Sequence, residues 1–231
     1  MIESEAQRLV DEAITSRHSI RAFLPTPIAR EDIEQMLSVA ARAPSGTNTQ
    51  PWKVYVLTGQ RLAKMSDEIV AAFLDTSACA QHVPEYQYYP KEWVSPYVDR
   101  RRKVGLDLYK LLGLTKQDKT GMQLQHARNF KFFDAPVGLV FSVDRTMEAG
   151  SWLDFGCFIQ NIMVAARARG LDTCPQAAFN AFHNIIRQHT GMEQSEIVMC
   201  CMALGVADQS KIENTLITER ESVNNFATFL D

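Results

Sequence analysis

Apolar positions fall into two kinds of segment along this chain: stretches where they recur at helical spacing, and short runs where they are nearly continuous. Leu9, Val10, Ala13 and Ile14 share one side of a segment from Glu3 to Ser16, which predicts a helix lying on a core. A second helix starts near Ala29, with Glu31 and Asp32 in its first turn where the helix dipole favours acids, and Pro44 ends it. Further helices are predicted over residues 60–74, 97–112 and 152–169, the last apolar nearly all round, as in a core or subunit interface. The runs KVYVLTG, PVGLVFSV and IVMCCMALGVA read as three buried strands.

Between these elements lie segments with no period. PSGTNTQPW, from Pro44, has a loop composition of small and amide-bearing residues feeding directly into a strand. HVPEYQYYPKEWVSPY is too rich in proline and tyrosine for one regular element, and it opens an excursion over residues 82–125 suited to a lid or a substrate-facing wall. The tail ends in NNFATFL, whose Phe226, Phe229 and Leu230 need an apolar partner, such as another subunit. No repeat, low-complexity tract or linker divides the 231 residues, so a single domain is expected.

Composition narrows the function classes. A net charge of −3 with no basic face gives no sign of a nucleic-acid or membrane partner, and no apolar run approaches the ~20 residues a spanning helix needs. A cytoplasmic protein is expected. The five cysteines (Cys79, Cys157, Cys174, Cys200, Cys201) show no CxxC spacing and read as reduced core residues. GxGxxG, GK[ST], HExxH and GxSxG are all missing, and the histidines are scattered, so no metal site or hydrolase motif is expected.

Two constellations remain. RHSIR, from Arg17 to Arg21, sets forked guanidinium donors around Ser19 at a helix end, which suits either a phosphate monoester or a set of surface ion pairs. Ser45, Thr47, Asn48 and Gln50 offer neutral donors and acceptors, as a flavin's pyrimidine edge or ribityl chain requires, or as a capped polar turn does.

In order and spacing, SRHSIRAF followed by APSGTNTQPWKVYVL resembles the nitroreductase family, and the resemblance extends through CPQAAF and TERESVNNFATF. YYPKEWVSPYVDRRRKVGLDLYKLLG and RNFKFFDAPVGLVF look most similar to the nitrobenzoate reductase branch. The resemblance implies an α+β fold, with a mainly antiparallel sheet flanked by helices, in an intertwined homodimer with FMN at the interface. Arg17, Ser19 and Arg220 match phosphate and ribityl positions, with His18 between them. Arg21 matches a basic residue near flavin N1 and O2 and would act as an electrostatic stabiliser. Pro44, Ser45, Gly46, Thr47, Asn48 and Gln50 match the loop around the flavin, supplied in part by the partner subunit. Arg128 and Lys131 match positions near the pyrimidine edge. Pro175, Gln176, Ala177 and Ala178 match the segment whose backbone meets N5 and O4, with the alanines standing where relatives carry Glu and Gly. Thr218 replaces a second lysine near the phosphate.

The implied activity is ping-pong transfer from NADH or NADPH through flavin N5 to a small aromatic acceptor, a nitrobenzoate reduced to its hydroxylamine. No side chain then serves as acid or base. Tyr86, Tyr88, Tyr89, Trp93 and Tyr97 suit a flat substrate, and one of Arg100, Arg101 or Arg102 suits its carboxylate. A quinone, enone or semialdehyde acceptor, or non-catalytic flavin storage, are the alternatives.

Overall fold

The computed structural model describes residues 4–230. Its sheet has five strands: β1 (Phe23–Leu24), β2 (Trp52–Thr58), β3 (Val137–Asp144), β4 (Asp172–Gln176) and β5 (Glu196–Ala207). Every strand pairing is antiparallel: β5 pairs with β1, β3 and β4, and β3 pairs with β2 at the far edge. The helices are α1 (Glu5–Thr15), α2 (Arg30–Ala40), α3 (Gly59–Leu74), α4 (Thr76–Cys79), α5 (Tyr97–Leu111), α6 (Lys119–Ala127), α7 (Ala149–Arg167) and α8 (His183–Thr190).

Alternation along the strands divides the core between the two faces of the sheet. Val137, Leu139, Phe141 and Val143 of β3, with Met199, Met202 and Leu204 of β5, pack with Ile33 and Met36 of α2 and Phe155, Phe158 and Ile162 of α7. Val140, Val198, Cys201 and Ala203 point the other way, against Leu62, Met65 and Ile69 of α3, Ile185 and Ile186 of α8, and a phenylalanine-rich turn at residues 128–134. The α+β fold expected from the sequence is thus present, as helix, sheet and helix layers.

Three expectations need correction. α1 does not lie on the core of its own chain: only Ala13 is buried, while Leu9, Val10 and Ile14 are about half exposed. The start predicted at Glu3 lies outside the described residues. β2 is not a buried strand, because it is the sheet edge and only Leu57 is fully covered. The sheet has two more strands than the hydrophobic runs announce, β1 and β4, both too short or too interrupted to show a run. All five cysteines are free, and Cys174 and Cys201 are buried. Among the described residues no helix is long and apolar enough to cross a membrane.

Candidate functional site

The basic segment after α1 is held as a sheet-like edge. Ser19 bridges Thr173 of β4 in parallel, and the Ile20 amide donates to the Thr173 carbonyl at 3.1 Å. Asn214 clamps it from the opposite end of the chain: its Oδ1 accepts from the Arg21 amide at 2.7 Å, and its Nδ2 donates to the Ala22 carbonyl at 2.8 Å. His18 is part of this clamp. Its ring nitrogens face the carbonyls of Ser16 (3.2 Å) and Asn214 (3.1 Å), so its side chain is engaged by backbone.

What the clamp presents is positive charge without compensation. Burial, and then the neighbouring Arg220 guanidinium, hold the Arg17 pKa below its ordinary value. The Arg220 side chain donates only to neutral oxygens at Thr218 and Glu219, and Arg21 donates to the Ser19 carbonyl at 3.2 Å. Among the described residues none of Arg17, Arg21 and Arg220 forms an ion pair with a carboxylate. A surface ion-pair role, the other reading of RHSIR, is therefore not what the fold builds. Thr218 supplies a hydroxyl to Arg220 rather than a further cation. Beneath them lies Cys174, whose thiol burial pushes up to about 11, so it stays protonated and uncharged at neutral pH.

From Thr173 and Cys174 beside this cluster, β4 runs on to a cavity of about 910 Å³, which Arg17, Ser19, Arg21 and Arg220 do not themselves line. Its next residues, Pro175, Gln176, Ala177 and Ala178, line the wall, facing aromatic groups that include Phe130, Tyr86, Tyr88 and Tyr89. Gln176 is 3% exposed, and its Nε2 donates to the Asn129 carbonyl at 2.7 Å. That bond fixes the amide's orientation and leaves Oε1 buried with no protein partner. An unsatisfied buried acceptor is costly, so a donor on a bound molecule fits here.

The aromatic wall is anchored at its base. Glu85, 8% exposed at its side chain, receives Arg145, Arg187 (3.0 Å) and the Val198 amide (3.2 Å), and the Tyr86 hydroxyl donates to the Met199 carbonyl. Burial raises the Glu85 pKa, but the Arg145 hydrogen bond, the Val198 amide and the charges of His183 and Arg187 outweigh it and leave the pKa below the usual carboxylate range. Tyr88 and Tyr89 then meet edge to face at 4.6 Å, and Tyr89 leans on Trp93 at 5.5 Å.

Other candidates stand elsewhere. Ser45 Oγ accepts from the Gln50 amide at 3.0 Å, and Gly46 donates to Asp154 of α7 at 3.1 Å, so the loop after Pro44 is tied to its own chain. Yet Pro44, Gly46, Thr47, Asn48 and Gln50 are exposed, and none of this loop lines the cavity. Thr47, Asn48 and Gln50 also hold φ of 50°, 61° and 48°, a left-handed conformation that costs a residue with a Cβ about 1 kcal/mol or more. Arg128 is paired with Glu213 and Asp134, and Lys131 with Asp67, and neither lines the cavity. Their guanidinium and ammonium groups are committed to carboxylates. Asp154, Asn214 and Glu85 escaped the sequence reading, since each acts on a partner more than 50 residues away and belongs to no local pattern.

Comparison with known proteins agrees with this architecture. The model of the Nitroreductase family matches residues 14–206, and the chain belongs to that family. It is 39% identical over 220 residues to a 4-nitrobenzoate reductase of Pseudomonas putida, covering 95% of each chain. It is 38% identical to a chloronitrobenzene nitroreductase of Comamonas testosteroni, covering 96% of each. Its fold superposes with a TM-score of 0.90 on the FMN and NADPH-dependent nitroreductase NfnB of Sphigopyxis sp. strain HMH, at 32% identity, covering 96% of this chain and 99% of that one. The FMN-dependent NfnB of Mycobacterium smegmatis, in complex with NADPH, gives a TM-score of 0.92 at 25% identity, with 98% and 100% covered.

Proposed function

We propose that this chain is an FMN-dependent nitroreductase, working as a homodimer, that reduces nitroaromatic compounds, nitrobenzoates among them, with NADH or NADPH as donor. The observation that carries this reading is the continuity of β4, which joins an uncompensated arginine pair to a flat-walled aromatic cavity. Arg17, Arg220 and Ser19 would hold the FMN phosphate, because a dianion relieves two guanidiniums that otherwise repel each other. Residues 175–178 would meet the ring system with backbone groups and with the free Oε1 of Gln176, and Arg21 would add positive charge nearby. When bound, FMN supplies the two-electron transfer between donor and acceptor.

The remaining work of the protein is binding and exclusion. Tyr86, Tyr88 and Tyr89 give flat faces on which a nicotinamide and then an aromatic acceptor would stack in turn. Two such turnovers consume two reduced nicotinamides and two solvent protons, and convert a nitro group to a hydroxylamine and one water. No acid or base on the protein is required.

The homodimer is supported by apolar surface that a lone chain leaves open. The Leu9, Val10 and Ile14 face of α1, Leu153 (75% exposed) on α7, and Phe226, Phe229 and Leu230 (71–89%) all lack cover. The loop after Pro44 would then complete the partner's site rather than its own. Use of reduced nicotinamide, together with five free cysteines, favours the cytoplasm.

The test is spectroscopic. Purified protein should show flavin bands that bleach anaerobically with NADH or NADPH and return on adding 4-nitrobenzoate, with the hydroxylamine formed. Bleaching without return would move the acceptor to another class, and a colourless protein that FMN fails to reconstitute would overturn the reading.

A further inference from the structure

The run Arg100, Arg101, Arg102, Lys103 on α5 is not uniform. Arg100 pairs with Glu221 at 2.7 Å, and Lys103 with Asp107 at 2.7 Å and Glu219 at 3.5 Å. Arg102 lines neither the aromatic cavity nor the smaller one beside Arg220. Arg101 lines both and has no carboxylate partner among the described residues. Its guanidinium lies 4.8 Å from the centre of the Trp93 ring and 5.6 Å from that of Tyr89.

Those distances put Arg101 within cation–π reach of both rings. Aromatic faces engage the flat face of a guanidinium and leave its N–H groups, which lie in the plane, free for a planar anion. A carboxylate is the planar anion that accepts two such bonds side by side. An arginine laid on rings is also held in few rotamers, so less freedom is lost when it binds.

We infer that Arg101, braced on Trp93 and Tyr89, is the acceptor-specificity residue of the cavity and pairs with the carboxylate of an aromatic nitro acid. It thereby favours nitrobenzoates over neutral nitroarenes. This rests on the nitroreductase reading above and adds a residue and a substrate charge to it. Nothing in the pairing touches the electron transfer itself, so its effect falls on acceptor choice.

The experiment compares the FMN-loaded wild type with Arg101→Gln, Arg101→Lys and Arg102→Gln, using 4-nitrobenzoate and nitrobenzene. The expected result is a loss of roughly 10- to 100-fold in kcat/KM for 4-nitrobenzoate in Arg101→Gln, with nitrobenzene unchanged. Arg101→Lys should lose less, and Arg102→Gln should match the wild type. Benzoate, which cannot be reduced, supplies a readout without turnover: it should perturb tryptophan fluorescence in the wild type and not in Arg101→Gln, whereas neutral benzamide should not distinguish them. An equal fall on both acceptors would overturn the inference, as would a loss confined to NADPH, a loss of bound FMN, or no change at all. If the wild type reduces neither nitro compound, the function reading fails; if it reduces both and Arg101→Gln treats them alike, only this inference does.

Discussion

At the scale of single residues, Glu85 shows how one buried carboxylate sets the shape of a cavity wall. It comes from a segment with no regular structure, yet Arg145, Arg187 and the Val198 amide all converge on it. Removing its charge leaves the buried Arg187 guanidinium without its carboxylate, with half-exposed Arg145 beside it. Glu85→Gln should cost about 3 kcal/mol of stability, read from the midpoint of urea unfolding. Nearer the proposed cofactor, Arg17→Gln should weaken FMN binding about 10- to 100-fold, read by fluorescence titration of the apoprotein, because a charge-assisted phosphate contact is lost.

The same residues set the response to acid. Burial holds His126 below the ordinary imidazole range, and burial followed by the Arg187 charge does so for His183 against the pull of Glu85. Glu85 and Glu196 are held below the carboxylate range, their burial being outweighed by hydrogen bonds. In every case the unfolded chain takes up its proton first, at about pH 6.5 for the histidines and about 4.5 for the glutamates. Stability should therefore be flat only from about pH 7 to 8, fall gently through pH 6.5 to 5 and more steeply below 4.5, and fall again above about pH 8.5, where unfolded thiols ionise while buried Cys174 stays protonated. Unfolding midpoints measured across this range check it, and a rise in stability on acidification below pH 7 would contradict the assignment.

Among the elements, the sheet's centre depends on close approach between β3 and the layer above it. A Cβ placed on Gly138 would sit 2.6 Å from Leu62 Cδ1 and 2.9 Å from the Phe132 ring, and Phe132 is fully buried. Gly138→Ala should lose about 1 to 3 kcal/mol by overpacking, measured by thermal or urea unfolding. This scale also explains what the sequence made legible. α2, α3, α7, β3 and β5 announce themselves because each buries a periodic or continuous apolar pattern, whereas α5 shows the helical period with no residue fully buried. β4 does not, since Pro175 interrupts its five residues, and β1 has only two residues, so both exist through pairing with β5. The apolar stripe of α1 was visible, but its exposure on the folded chain was not. In the site, RHSIR and the loop after Pro44 were legible as local composition, whereas Asn214, Asp154 and Glu85 became partners only through tertiary folding.

For the whole molecule, the uncovered surfaces of α1, α7 and the tail belong to one argument. The proposed homodimer, as a closed two-fold pair, accounts for these surfaces and for the loop after Pro44 standing apart from its own cavity. On that proposal, Leu153→Asp should shift the protein from dimer toward monomer in sedimentation velocity and lower its FMN content with it. A variant that dissociates yet keeps its flavin would show that each chain builds a whole site alone.

If the loop that stands apart from its own cavity completes the partner's site, as proposed, a genetic consequence follows. A chain with a damaged arginine cluster and a chain with a damaged loop would each be inactive as pure populations. Mixed pairs would concentrate both lesions in one site and leave the other intact, so co-expression should restore about a quarter of the wild-type sites. Two null alleles of this one gene would then complement each other, and by the pattern of which pairs succeed they would map which residues belong to which half of the site.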